Sequence, residues 1–483
     1  MSSVKQARIA GGVLAACTVA WVFLAPLYRP GPPPESHGVL NDVAGLNRTV
    51  VRDVVQPKTD DDVRRVVSGA LSTGAKITIA GRRHSMGGQT LYPEAISIDM
   101  LQFNKILSLD IENKILVVQS GTTWRDIQEF LNPYGLAVLT MQGPNVFTVG
   151  GSMSVNAHGW DMRHGPVAAS IEWFRILMAD GSIKRCSRTE DPEIFHLVLG
   201  GYGLFGVILE VGLHVTDNAA YIAAISHMDF ADLPAYFDRQ IRTHPQVELA
   251  EADLSVASSS LLREAIAVAY ERQIGDTRRT DPLEESRHIS RDRYFFDLSR
   301  DYGWGKTLRW FLQGKLEYPG AGEVRTRNNI FRSPIERIQY YSAKDTDILQ
   351  EYFVPPQNFA PFTKGLTEIV ERQQLNLLNA TVRYVEANDD AFLNYARRPG
   401  LAVVLYTNIK TSQSGRETNA EATREIIELA LKNGGTFYLP YVLDFDKSEL
   451  NRAYPMLNEF LAAKRRYDPL EEFTSDFYAK YSR

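Results

Sequence analysis

From residue 45 onward the apolar positions switch repeatedly between helical spacing and alternation, the rhythm of an α+β chain with short connections. Val63, Val66, Val67, Ala70 and Leu71 share one helical face behind Thr59-Asp-Asp-Asp62, which reads as a capping box. Gly74 closes that helix. Strands are predicted at 76–80, near 96–98 and at 115–119. A second helix opens at Thr123, with Asp126 three residues on, and turns Trp124, Ile127, Phe130 and Leu131 inward. Residues 191–199 read as a helix and 207–215 as a strand. From about residue 219 the segments lengthen, gain aromatic side chains and lose glycine. Strands resume near 350–354, 379–385 and 401–406, with helices between them. Residues 411–419 read as a polar loop, and 464–475 as a basic helix end, a proline turn and an aromatic tail.

Four stretches break this rhythm. Gly81-Arg-Arg-His-Ser-Met-Gly-Gly-Gln89 leaves the strand at 76–80 as a glycine-bearing loop that can wrap an anion with backbone N–H groups. It carries one imidazole, His84. Residues 142–165 are small and polar, suited to a backbone that approaches a ligand closely. Interleaved Val146, Phe147, Val149, Met153 and Val155 need burial, which argues against a plain surface loop. Gly201-Tyr-Gly203-Leu-Phe-Gly206 has the spacing of a dinucleotide fingerprint, but it follows a helix and precedes a strand. That order is the reverse of what the fingerprint needs, so the reading is rejected. Residues 287–317 mix basic and aromatic side chains and read first as an irregular, partly solvated insertion. A patch touching lipid headgroups is the sharper alternative.

Composition narrows the classes. The 483 residues suggest two or three domains, and 44% hydrophobic with 23% charged content supports large buried cores. A formal net charge of -5 argues against a nucleic-acid binder. Of two cysteines, Cys17 lies in an N-terminal apolar run, so the globular part has one thiol and no internal disulfide. That run, from Ile9 to Tyr28 behind Lys5 and Arg8, is long enough to cross a bilayer as a helix. A stiff proline-rich spacer follows it. An uncleaved anchor is favoured over a signal peptide, with the catalytic part outside the cytoplasm.

Gly-x-x-His-Ser at 81–85, Val149-Gly-Gly151, His158-Gly159, Gly203-Leu-Phe-Gly-Val-Ile208 and Tyr467-Asp-Pro469 occur in that order. Together they resemble the vanillyl-alcohol-oxidase (PCMH) type of FAD-dependent oxidoreductase. The likeness is greatest to its sugar and polyol branch of alditol, aldonolactone and decaprenylphosphoryl-ribose oxidases. The resemblance implies an α+β fold: a two-subdomain FAD-binding domain, a substrate domain with an antiparallel sheet, and here an N-terminal transmembrane helix. The expected boundaries are an anchor at 1–30, a linker at 31–44, the FAD-binding domain at 45–218, a substrate cap at 219–440 and a C-terminal return at 441–483.

Carried over by position, Ile79, Ala80, Gly81, Arg82, Arg83, His84, Ser85, Met86, Gly87, Gly88 and Gln89 would cradle the pyrophosphate. Gly143, Thr148, Val149, Gly150 and Gly151 would lie against the flavin, His158 and Gly159 beside its ring, and Ile208 and Tyr438 would complete the contacts. His84 stands where many relatives bond the flavin, so a covalent tether is favoured. Arg383 matches a basic residue near the flavin, fit to stabilise an alkoxide or the reduced ring. The relatives' catalytic lysine is absent and Tyr441 takes its position, so Arg383, Tyr441 and His158 form the expected catalytic set. Trp160 replaces a second lysine, which favours an uncharged alcohol or polyol over a phosphorylated sugar. Arg163, Arg397 and Arg398 are the candidate substitutes for the lost charge. The implied activity is oxidation of a CH–OH group by hydride transfer to FAD, with oxygen or another acceptor taking the electrons. A flavin-dependent C=C reductase and a membrane-tethered flavoprotein with a degenerate site are the competing readings.

Overall fold

Thr59 caps helix Asp60–Thr73 by accepting the Asp62 N–H, Asp62 accepts the Thr59 N–H in return, and Gly74 ends the helix at φ 63°. Three aspartates in its first turn complement the helix dipole. In the computed structural model, which describes residues 38–275, 277–285, 289–316, 322–337 and 340–483, this helix buries Val63, Val67 and Ala70. They share a core with Ile77 and Ile98 of a parallel sheet formed by strands Asp53–Val55, Ile96–Asp99 and Ile77–Ala80. Val207 and Leu209 enter the same core from a second, antiparallel sheet. Its order is Ile183–Ser187, Ile171–Leu177, Val207–Asp217, Ile115–Gln119 and Ile106–Asp110, with Leu136–Val138 also pairing on Val207–Asp217. The capping box of Thr123 and Asp126 starts helix Trp124–Leu131, which buries Trp124, Ile127 and Leu131.

Beyond Asp217 the chain enters an eight-stranded sheet whose pairings are all antiparallel. Its central strands are Val247–Leu254, Asn376–Val385, Gly400–Lys410 and Asp345–Val354. Period-two alternation gives it two distinct faces. On Asn376–Val385, Asn379, Thr381 and Arg383 line a cavity, while Ala380 and Val382 are buried in the core on the other side. Helix Gln413–Lys432 packs on that other face, where Gln350 donates to Thr423 and leaves neighbouring Glu351 to the cavity.

The chain then returns to its beginning. Strand Thr436–Phe437 pairs with Asp345–Val354 and forms one edge of the large sheet. Pro440 accepts from the Met86 N–H at 2.8 Å, and Thr474 donates to Ile77 at 2.9 Å.

Three expectations are corrected. Residues 413–419 belong to helix Gln413–Lys432, capped by Ser412, rather than to a loop. The first of its buried positions is Asn419, so apolar periodicity becomes visible only from Ala422. Within 287–317 the described residues form helices Ile289–Asp301 and Gly303–Leu316 instead of an irregular insertion. Their signal was masked because Asp297, Ser299 and Arg300 occupy buried positions, with Arg300 paired to Asp297 and Asp347. The polar stretch 142–165 contains a short helix, Val149–Ser154, whose N-cap is Thr148. The apolar run at 9–28 lies outside the described residues. Among those described, no helix is long and apolar enough to cross a membrane.

Candidate active site

A cavity of about 1760 Å³ runs between the loop at 79–89, the segment 142–160 and the inner face of the eight-stranded sheet. Ligand pockets commonly hold about 300–1,000 Å³, so this one has room for two ligands together. Helices Ile289–Asp301 and Gly303–Leu316 contribute Arg291, Asp292, Phe296 and Arg309 to its wall.

The first wall is made by backbone. Residues 79–86 and Gln89 line it, and the N–H groups of Arg82, Arg83, His84 and Ser85 donate to no acceptor among the described residues. Arg83 has a φ of 53°, the kink that turns successive N–H groups into one concavity. The loop's own side chains mostly hold it in place. Arg83 pairs with Asp99 at 3.4 Å, Arg82 donates to the Val146 carbonyl at 3.2 Å, and Met86 packs with Ile348 and Ile409. Gln89 donates to the carbonyls of Leu439 at 2.6 Å and Tyr441 at 3.2 Å. That places Tyr441 beside the loop. His84 has no such role: its ring sits edge-on to Phe147 with centroids 4.6 Å apart. Burial, reinforced by the charge of Arg82, lowers its pKa to about 4, so the imidazole is neutral at physiological pH.

The second wall comes from Gly143, Thr148, Gly150 and Gly151. A Cβ on Gly81 would fall on Thr148 Oγ1, so only glycine lets the two walls meet. Gly87, Gly88, Val149 and Gly159 do not line the cavity, contrary to the sequence expectation. Gly87 is pressed against the Tyr441 carbonyl, Gly88 against Asp476, and Gly159 against the Met141 carbonyl, while Val149 is fully buried in the core. Their part is to shape the cradle.

At the far end, His158, Glu351, Arg383, Tyr438 and Tyr441 cluster, while Ile208 lines the cavity near Ser120. His158 Nε2 lies 2.5 Å from Glu351 Oε1, and both side chains are almost fully buried. The Tyr441 hydroxyl donates to Glu351 Oε2 at 3.4 Å. Burial first, then the charge of Glu351, drives the Tyr441 pKa well above the ordinary phenol value. Arg383 is on an interior strand of the sheet and engages Glu251 at 3.4 Å. Trp160 lines the cavity and stacks on Phe331. Arg163, Arg397 and Arg398 do not reach it. They donate to backbone carbonyls, among them Val247, Ala453 and Gly434 respectively.

Glu351, Glu251 and Ser120 escaped the sequence reading. The sequence cue for Glu351 was available: a Gln-Glu pair interrupts the apolar strand Leu349-Gln-Glu-Tyr-Phe-Val354. Ser120 ends strand Ile115–Gln119 with no distinguishing pattern. Its hydroxyl, His158 Nδ1 and Trp160 Nε1 are buried on the cavity wall without hydrogen-bond partners among the described residues. Buried polar atoms are seldom left unpaired. Three of them, with four open N–H groups and glycine walls, fit a large ligand that brings an anionic centre and a polar ring.

The comparisons name such a ligand. Residues 52–187 match the FAD binding domain family. Putative D-arabinono-1,4-lactone oxidase of Neurospora crassa is 29% identical over 168 residues, 35% of this chain and 30% of that protein. L-gulonolactone oxidase of Mus musculus is 28% identical over 158 residues, 33% of this chain and 36% of that protein. These alignments span about a third of the relatives' length. Decaprenylphosphoryl-beta-D-ribose oxidase of Mycolicibacterium smegmatis is 23% identical over 460 residues, 89% of this chain and 95% of that protein. The chain therefore carries a PCMH-type FAD binding domain, and FAD is its cofactor.

Proposed function

We propose that this protein is an FAD-dependent oxidoreductase that oxidises a CH–OH group of a sugar, polyol, aldonolactone or lipid-linked sugar. The observation that carries the reading is one continuous cavity. It joins the open backbone of 82–85 to a cluster of acid–base side chains, His158, Glu351 and Tyr441. Bound FAD supplies the two-electron acceptor. The chain's own work is to hold it, orient the alcohol and take the hydroxyl proton. Residues 82–85 hold the pyrophosphate, Thr148, Gly150 and Gly151 flank the flavin, and Arg383 offsets negative charge as it develops. His84, neutral and part of the cradle, would be the nucleophile for a covalent link to the flavin. Tyr441 and Trp160, which line the cavity where the resemblance implies lysines, favour a neutral, hydroxyl-rich substrate over a phosphorylated one. Residues 9–28 anchor the protein in a membrane with the catalytic part outside the cytoplasm, and oxygen or another acceptor reoxidises the flavin.

A screen of alditols, aldonolactones and prenyl-phosphate sugars with dye reduction as readout tests the reading. Reduction by at least one neutral polyhydroxylated alcohol is expected. Bleaching of the flavin by NADPH with no response to any alcohol would refute it.

A further inference from the structure

We propose that Glu351 is the positioning residue that draws off the substrate's hydroxyl proton through Tyr441, while His158 holds its other oxygen. The proposal rests on the alcohol-oxidising reading and assigns the proton step within it.

A carboxyl group buried as deeply as Glu351 needs partners on both oxygens. It has them, and both partners line the cavity: His158 on Oε1 at 2.5 Å and Tyr441 on Oε2 at 3.4 Å. Tyrosines crowd this site, and their hydroxyls divide cleanly. Tyr395 donates to the Asn156 carbonyl at 2.6 Å, Tyr438 to the Val155 carbonyl at 2.8 Å, and Tyr454 to the Phe437 carbonyl. Those three hydroxyls are committed to the backbone. Tyr441 alone among them turns its hydroxyl to Glu351, at the long end of hydrogen-bond distance. Its raised pKa makes it a poor resting base, so a proton it receives must be passed on. The next acceptor in line is Glu351. Arg383 is the cation whose charge acts on Tyr441.

The step balances as follows. The substrate's O–H bond breaks and its proton moves to Tyr441 Oη, while the proton already on Tyr441 moves to Glu351 Oε2. The carbinol C–H leaves as hydride with its electron pair, which is the share of bound FAD. The alcohol becomes a carbonyl, and Glu351 gains one proton. A His158 Nε2–H can donate to Oε1 before and after that gain, which leaves Nδ1 facing no protein partner, as observed.

The test uses the full-length holoprotein and the variants Glu351→Gln, Tyr441→Phe and the double. Each single change should lower kcat by about 100-fold or more, the usual range for loss of an acid–base group, with KM nearly unchanged. The double should be no worse than the worse single, because the two act as one unit. Part of the lost kcat should return in Glu351→Asp, which keeps the carboxylate. Without any turnover, nitrogen-15 histidine NMR of the oxidised holoprotein should place the proton of His158 on Nε2, and that resonance should move in Glu351→Gln. Additive losses, a rise in KM at constant kcat, or an unmoved His158 resonance overturns the relay. Wild-type turnover that Glu351→Gln leaves intact overturns the relay alone. A wild type reduced by no alcohol overturns the functional reading, and the relay with it. Should Glu351→Gln fail to fold, Tyr441→Phe decides, since that hydroxyl's side-chain partner is Glu351.

Discussion

His84 owes its chemistry to where the loop puts it. Loop neighbours use their side chains to fix the backbone, whereas the imidazole has no hydrogen-bond partner among the described residues and packs edge-on to Phe147. A pKa lowered to about 4, by burial first and Arg82 second, keeps its nitrogen free to attack. Flavin attachment should therefore be flat across neutral pH and fail only as pH falls toward about 4. In acid-precipitated protein the yellow colour should stay in the wild-type pellet and move to the supernatant in His84→Ala. Colour in both supernatants would leave the imidazole with no covalent role. The same shift has a stability consequence. The folded pKa lies below the ordinary imidazole value of 6.5, so His84 contributes stability above 6.5 that is lost as pH falls through about 4. Asp476 runs the other way. Burial, then the charge of Asp42, raises it from 3.8 to about 6, so its contribution is complete below 3.8 and lost as pH rises through about 6. Asp476→Asn should raise Tm at neutral pH, with the gain shrinking below about 6, as followed by thermal melts across pH.

At the scale of elements, two glycine-bearing walls meet at one contact, and that contact is a sharp test of the cradle. Gly81→Ala places a methyl on Thr148 Oγ1, and Thr148 cannot withdraw freely because it caps helix Val149–Ser154. In a His84→Ala background, where the flavin is exchangeable, FAD affinity should fall at least about tenfold, close to 1.4 kcal/mol, by titration of the apoprotein. Unchanged affinity would mean that the walls are not the cofactor's. The loop itself was legible because its signals are local: a strand, then small residues, then a histidine. The capping boxes at Thr59 and Thr123 were legible for the same reason. Helix Gln413–Lys432 and the 289–316 hairpin were not, because their buried faces begin with Asn419 or carry Asp297 and Arg300. Arg300 pairs with nearby Asp297 but also with Asp347, and Asn419 donates to Asp444, and these last two partners lie outside any local window. Glu351 was missed likewise. Its partners are 193 residues away at His158 and 90 away at Tyr441, and only the fold makes the three neighbours.

Across the whole molecule, the cavity exists because separate sheets are pinned around it, and one buried cation does much of the pinning. Arg327 reaches the Val138 carbonyl of the six-stranded sheet at 3.0 Å, Asp161 in the segment that carries His158 at 2.5 Å, and Glu248 of the eight-stranded sheet at 3.2 Å. Burial would raise Asp161, but the His164 hydrogen bond and the Arg327 charge outweigh it and hold the carboxyl at about 2. That depressed value fixes the pH window. The contribution is whole above 3.8 and is lost only as pH falls through about 2, so it is constant across the range in which an enzyme works. Removing one partner of a buried pair strands the other, at a cost of about 3–5 kcal/mol. Asp161→Asn should therefore lower Tm sharply and by the same amount at neutral and mildly acidic pH. In the proposed pose FAD would touch both sides of the cavity and hold the sheets together by mass action, so saturating FAD should recover part of the loss. Melts of apoprotein and FAD-loaded protein, wild type against Asp161→Asn, measure both effects. A loss that FAD does not reduce would mean that Arg327 and Asp161 stabilise the fold without shaping the cavity.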